Sequence, residues 1–283
     1  MAPIACIYHK DCIDGTTAAA VVLKKFPDAQ CFPVGHSTAA AELTEIFPHI
    51  DPSAHLYIVD TVHGIEHALK QGNSVTALDH HISEHDRVSL LAHDNTNLEY
   101  VFDNTKSGAS LTWSYFFSEE TLPQLIAHVE DIDLWLQKFG DETEHVANYL
   151  SILRNDPHTV STLLSADIQT IYERGALLTQ NMRMEVKRCV ELDPIMLSFG
   201  EYTAPAFNIT NYQSHCGNKL AASRNEAVAM YTIRGDIVRF AFRSLDAHNP
   251  SALDLACILG GGGHRNSAGG TMPIRDFIKN IHL

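Results

Sequence analysis

The sequence has no C-x-x-C pair: its six cysteines (Cys6, Cys12, Cys31, Cys189, Cys216 and Cys257) are scattered along 283 residues. That spacing fits neither a zinc ribbon nor a disulfide framework, and six free thiols point to a reducing, cytoplasm-like compartment. No apolar run approaches the roughly eighteen residues that a membrane span requires. The stretch from Met1 to Tyr8 lacks a basic flank and runs straight into His9-Lys10-Asp11, so it reads as a first strand and not as a signal peptide. Positive charge is scarce as well. Twenty Lys and Arg face 34 Asp and Glu, a formal net charge of −14, which excludes a general nucleic-acid coat with a basic footprint. The H-E-x-x-H helix of a mononuclear zinc hydrolase is missing, as are internal repeats and Gly/Ser linkers. Histidine, in contrast, is abundant: 17 residues, nearly as many as Lys and Arg together. A chain both acidic and rich in imidazole has the composition of divalent-metal chemistry.

With 45% apolar and 19% charged residues the chain is globular and long enough for one large domain or two ordinary ones. Its first third alternates strand-length apolar runs (Ile4–Tyr8, Cys31–Val34, His55–Val59, Val75–Leu78) with helical stretches at Thr16–Phe26, Ile65–Lys70 and Leu111–Phe117. Continuously apolar strands separated by helices indicate a buried parallel sheet covered on both faces, an α/β fold in which ligands sit beyond the carboxyl ends of the strands. From Thr121 to Leu192 the pattern is helical, with Asp167 placed to cap a long helix that ends near Asp193-Pro194. Beyond Pro194 strands dominate, with Gly235-Asp236 as a hairpin turn. The expected organisation is a catalytic domain over 1–166, a linker helix over 167–194 and a smaller α/β domain with a mixed sheet over 195–283. Trp113, Trp135 and the Tyr115-Phe116-Phe117 run read as core or domain-packing aromatics and not as a base-stacking platform.

Three polar clusters directly follow apolar strands. They are His9, Asp11 and Asp14 with Gly15; Asp60 with His63; and Asp79-His80-His81 with His85. A fourth, Asp131 and Asp133, ends the apolar helical stretch from Leu125 to Ile132. Taken singly, Asp14-Gly15 reads as a turn and cap, Asp60 as a strand-end acid, and Asp131/Asp133 as a solvated helix face. Parallel strands bring their carboxyl ends together, however, and several carboxylates at one spot repel unless cations compensate them. Two cations on mixed carboxylate and imidazole ligands are the economical solution.

The ordered set His9-x-Asp11-x-x-Asp14-Gly, Val59-Asp60, Asp79-His80-His81, Asp131-x-Asp133 and Gly260-Gly261-Gly262-Gly263-His264 resembles the DHH phosphoesterase superfamily over essentially the whole chain. That superfamily includes RecJ-type exonucleases, nanoRNases, cyclic-dinucleotide phosphodiesterases, exopolyphosphatases and one class of pyrophosphatase. One departure stands out: the family's first motif usually spaces its two aspartates by one residue, whereas Asp11 and Asp14 are three apart. The resemblance implies a binuclear Mn²⁺ site, with Mg²⁺ or Co²⁺ as alternatives. His9, Asp11 and Asp60 would hold one ion, and Asp14, Asp60, His80 and either Asp131 or Asp133 the other. Asp60 would bridge, and mixed imidazole and carboxylate ligands suit Mn²⁺ on chemical grounds. His81 would polarise or protonate a phosphoryl oxygen, and Asp79 would orient an imidazole.

For the substrate, Ser107 and Gly108 open a helix as ordinary caps or as a phosphate cradle. The run Gly261-Gly262-Gly263-His264-Arg265 combines close backbone approach with anion-directed donors. Arg243-Ser244 resembles the family's phosphate and base contacts, and Asn208, His215 and Lys219 are placed on the same side. The implied enzyme hydrolyses short oligonucleotides, RNA or DNA, in a cleft between its two domains. Linear or cyclic dinucleotides, nucleotide 3′-phosphates and polyphosphate are alternative substrates, and a non-catalytic nucleotide sensor is the alternative of another class. The expected protein is a monomer or homodimer that binds neither long duplexes nor membranes.

Overall fold

The apolar runs of the first third pair into one parallel sheet. In the computed structural model, which describes residues 2–282, the chain runs through β1 (Ile4–His9), α1 (Ile13–Lys25), β2 (Gln30–Val34), α2 (Ala39–Ile46), β3 (His55–Val59), α3 (Ile65–Gln71), β4 (Ser74–Asp79), α4 (Ile82–Asp94) and β5 (Leu98–Phe102). The strand order is β2-β1-β3-β4-β5, every pair parallel. Side chains alternate across the sheet with period two. Ala5 and Ile7 of β1 pack under α2, α3 and α4, whereas Cys6 and Tyr8 face α1 and the helices that follow. Both faces are thus buried, which is why the strands read as unbroken apolar runs. The order reverses between β1 and β3, and a sheet of this topology binds its ligand at that switch point, beyond the strand ends.

Helices α5 (Gly108–Phe116), α6 (Gln124–Asp133), α7 (Asp141–Ser151), α8 (Pro157–Leu163) and α9 (Ile168–Cys189) complete the helical middle. Asp167 starts α9 as the sequence suggests, its Oδ1 accepting the Gln169 N–H at 3.0 Å. The chain divides into two compact units, Met1–Thr179 and Gln180–Leu283, and the division falls within α9.

The second unit is built on β6 (Ile195–Phe199), β7 (Tyr202–Asn208), α10 (Gln213–Arg224), β8 (Val228–Arg234), β9 (Ile237–Arg243), α11 (Ala252–Ile258), β10 (Gly262–His264), β11 (Ser267–Pro273), α12 (Ile274–Lys279) and β12 (Ile281–His282). Its sheet, β10-β11-β9-β8-β7-β6-β12, is mixed: β7 and β8 run parallel and the other pairs antiparallel. The turn between β8 and β9 is made at Gly235, in the left-handed region at φ +61°. Among the described residues no helix is long and apolar enough to cross a membrane.

Two sequence expectations change here. Strand β5 is hidden in the sequence because Glu99 interrupts it, accepting hydrogen bonds from Thr76 and Tyr115 at this sheet edge. The aromatics also separate. Trp113 is buried as expected, but Trp135 is 82% exposed and belongs to no core.

Candidate metal centre

His9 closes β1, and Asp60 follows β3 in the left-handed region at φ +55°. A non-glycine residue there is sparsely populated, and such strain persists only where the surroundings over-determine it. The Asp60 N–H is fixed by the Leu78 carbonyl of β4 at 3.0 Å. The carboxylate thereby reaches two imidazoles at once. Oδ2 lies 3.5 Å from His9 Nδ1, and Oδ1 accepts a hydrogen bond from His80 Nε2 at 3.1 Å. His80, just past β4, also lies 3.9 Å from Asp14 Oδ2 and 3.6 Å from Asp133 Oδ2. The switch point between β1 and β3 therefore gathers His9, Asp14, Asp60 and His80, and α6 delivers Asp133 to them.

Asp14 sits in the first turn of α1 and is buried. Its Oδ2 accepts the Gly108 N–H at 2.5 Å and its Oδ1 the Ala109 N–H at 2.9 Å. The open N–H groups of α5 thus hold a protein carboxylate and not a substrate phosphate, which corrects the cradle expected at Ser107 and Gly108. Ser107 is buried and serves as the N-cap, its Oγ accepting from the Ser110 N–H at 3.3 Å. Glycine at 108 is required by contact: a Cβ there would lie 2.6 Å from Asp60 Cβ and 2.9 Å from Asp14 Oδ2.

The charges record the crowding. Burial pushes the Asp14 and Asp133 carboxyls up, and the neighbouring Asp60 charge pushes both further. Burial works the same way on Asp60, but the hydrogen bond from His80 and the His9 imidazole 3.5 Å from Oδ2 outweigh it and hold that group below its ordinary range. For His80 burial opposes protonation, yet the hydrogen bond to Asp60 and the charges of Asp60, Asp14 and Asp133 win, raising it to about 9. A protonated His80 thus carries the positive charge that a cation would otherwise supply.

Three groups bring ligand atoms close enough to share an ion: His9 with Cys12 and Asp60; Asp60 with His80 and His81; and Asp14 with His80 and Asp133. The donors fit divalent cations. Asp60 Oδ2 is buried and makes no hydrogen bond, with His9 Nδ1 standing off at 3.5 Å, and a cation between them would satisfy it. Cys12, which nothing in the sequence pattern singled out, stands in the first group. Burial and the charges of Asp60 and Asp14 push its thiol up, so it is held neutral and is a poor ligand in that state.

Two expected ligands lie elsewhere. Asp131 is buried, and its oxygens accept the Lys138 N–H at 2.7 Å, the Phe139 N–H at 3.4 Å and the Thr143 hydroxyl at 2.5 Å. Its carboxylate ties the loop after α6 to α7, and the position facing the cluster belongs to Asp133. Helical geometry explains the choice, since residues two apart point to different sides of a helix. Asp11, in the left-handed region at φ +56°, exchanges hydrogen bonds with Asn155 at 2.9 and 2.6 Å and is absent from the three groups. Its three-residue spacing from Asp14 carries it past the strand end.

Asp79, fully buried, accepts a hydrogen bond from His81 Nδ1 at 2.8 Å and raises that imidazole, burial opposing. Nδ1 therefore carries the proton toward Asp79, leaving Nε2 as the free nitrogen of the ring. His81 lines a cleft of about 70 Å³ together with His9, His36, Asp60, His63 and Glu84. His63 Nε2 and His36 Nδ1 are 2.9 Å apart there, so His36 acquires the place that its sequence neighbours did not suggest.

In the second unit the glycine run is part of a hairpin: β10 pairs with β11, Gly262 opposite Gly269 and Gly263 opposite Ala268. At Gly261 a Cβ would lie 2.0 Å from the Gly269 carbonyl oxygen, so the hairpin requires glycine at this position. His264 and Arg265 are exposed, although the guanidinium of Arg265 donates to the Asp246 carbonyl at 3.0 Å. Ser244 is buried, and its hydroxyl donates to the Arg265 carbonyl at 3.2 Å while accepting the Ala252 N–H at 2.9 Å. Arg243 is half-buried and donates to Ser214 Oγ at 2.7 Å. Asn208, His215 and Lys219 are exposed on β7 and α10.

No protein-family model matches the chain. An uncharacterized protein of Acanthamoeba polyphaga mimivirus is 25% identical over 220 residues, 73% of this chain and 50% of that protein. The chain thus spans about half the length of the curated relative it matches. Two solved structures are similar over nearly all of it. The pGpG-specific phosphodiesterase PggH from Vibrio cholerae has a TM-score of 0.51 at 13% identity, covering 99% of this chain and 96% of that one. RecJ from Thermus thermophilus, solved in complex with Mn²⁺, has a TM-score of 0.51 at 15% identity, covering 98% of this chain and 50% of that one. A parallel five-stranded sheet flanked by helices, followed by a second mixed sheet, is the fold that this chain shares with PggH and RecJ.

Proposed function

We propose that the chain is a metal-dependent phosphodiesterase of the DHH superfamily, acting on short oligonucleotides or dinucleotides. One observation carries the reading. At the β1/β3 switch point, Asp60 directs one oxygen at His9 and the other at His80, Asp14 and Asp133 crowd the same imidazole, and Asp60 Oδ2 lacks a hydrogen-bond partner. His9 and Asp60 would hold one cation, and Asp14, Asp60, His80 and Asp133 a second. Bound there, Mn²⁺ would supply Lewis acidity and an activated water, the two needs of phosphodiester hydrolysis.

The chain's own groups do the rest. Asp79 holds the Nδ1–H of His81 and favours the doubly protonated ring, whose Nε2–H would donate to an oxygen of the phosphoryl group or the leaving group. The net charge of −14 disfavours long nucleic acid. The folds of PggH, a pGpG-specific phosphodiesterase, and RecJ, solved with Mn²⁺, accord with this chemistry.

The test is incubation of the purified protein with Mn²⁺ and an end-labelled ladder of two to ten nucleotides. Mn²⁺-dependent shortening supports the reading. Orthophosphate released from polyphosphate with an intact ladder refutes it, and tight nucleotide binding without turnover would make the protein a sensor.

A further inference from the structure

We propose that Trp135 is a stacking platform for a nucleobase next to the scissile phosphate, an inference that rests on the phosphodiesterase reading. Trp135 follows Asp133 by two residues, and Asp133 lies 3.6 Å from His80. Two trans peptides span at most about 7 Å, so the Cα of Trp135, just past the end of α6, stays within that distance of the Cα of Asp133. Trp135 is 82% exposed, and Leu136 and Phe139 on the same loop are 39% and 40% exposed. An apolar, solvent-facing cluster is unexpected on a loop that the protein holds so firmly.

The loop is held at both ends. Backbone bonds join Trp135 N–H to Ile132 at 3.4 Å and Leu136 N–H to Asp131 at 3.1 Å, and the Asp131 carboxylate ties down Lys138, Phe139 and Thr143. Both Trp135 and Gln137 occupy the left-handed region, at φ +53° and +55°. Conformations that non-glycine residues avoid, fixed by a buried carboxylate, present one large aromatic ring to solvent. A dinucleotide carries a base on each side of its phosphate. With the phosphate over the proposed metal ligands and one nucleoside directed toward His36 and His63, the other base would extend toward Asp133, whose loop carries Trp135. Every base has a π-face, so stacking there adds affinity with little sequence preference.

The chain's two tryptophans make the test direct, because Trp113 is only 4% exposed and Trp135 dominates the quenchable emission. The Mn²⁺-loaded protein is titrated with pApA and with an analogue whose bases are replaced by tetrahydrofuran. We expect pApA to quench Trp135 and the abasic analogue not to. Trp135→Ala should raise KM for pApA about tenfold, the scale of losing one stacked base, with most of it restored by Trp135→Phe. Equal quenching by the abasic analogue, or hydrolysis of pApA with no quenching and an unaltered KM in Trp135→Ala, overturns the stacking and spares the phosphodiesterase. Quenching by pApA without hydrolysis keeps the stacking and overturns the phosphodiesterase. Neither quenching nor hydrolysis overturns both.

Discussion

Asp131 and Asp133 show how much one side chain's surroundings decide. Asp131 satisfies the backbone of a loop; Asp133 shares a pocket with two other carboxylates. Replacing Asp131 by Ala strands buried N–H donors and should cost about 1–3 kcal/mol in thermal or denaturant unfolding, with Mn²⁺ stoichiometry unchanged. Replacing Asp133 by Asn should do the reverse: Mn²⁺ binding weakens, and the cation-free protein keeps or gains stability as repulsion is relieved. Calorimetry on both variants checks the pair, and the opposite pattern would make Asp131 the ligand. His80 adds a pH dependence. Its folded value of about 9 lies above its ordinary one, so its contribution to the cation-free protein is fully present below pH 6.5 and is lost as pH rises through about 9. Because a cation must displace that proton, Mn²⁺ affinity should rise over the same interval. Titrations at pH 6.5, 7.5 and 8.5 measure this, and a flat profile would remove His80 from the ligand set.

At the scale of elements, the centre is an agreement between strand ends and a helix start. Strands β1, β3 and β4 deliver His9, Asp60 and His80, and α5 locks Asp14 through two N–H groups. That lock depends on Gly108. Gly108→Ala would place a methyl 2.6 Å from Asp60 Cβ, so we expect Mn²⁺ affinity to fall at least tenfold with helix content retained by circular dichroism. Wild-type affinity in that variant would mean that α5 merely packs nearby. Much of this was legible beforehand, since apolar runs and the acids that end them are local patterns. The locking of Asp14 by α5 joins residues 94 positions apart, and no local pattern reports it. The packing of the glycine run is hidden for a related reason: its backbone lies against Gly269, a contact that only the paired hairpin shows. Cys12 carries no spacing signal at all, and its place beside His9 follows from the tight turn into α1.

Over the whole molecule, a net charge of −14 coexists with a cluster of carboxylates that the proposed cations would neutralise. An acidic exterior repels polyanions at long range while bound cations invert the sign locally. A 30-base-pair duplex should therefore show no shift in gel mobility at physiological salt, whereas di- to pentanucleotides compete with one another for the centre; tight duplex binding would contradict the short-substrate reading. The two-unit architecture was expected from the change in texture after Pro194, and the division falls inside the long helix. The central proposal is a pair of cations that would share Asp60 as a ligand. Electron paramagnetic resonance of the protein with two equivalents of Mn²⁺ measures it most directly. The account predicts a spin-coupled pair in the wild type that Asp60→Ala abolishes; isolated Mn²⁺ signals at full loading, or a coupled pair that survives the substitution, would contradict it.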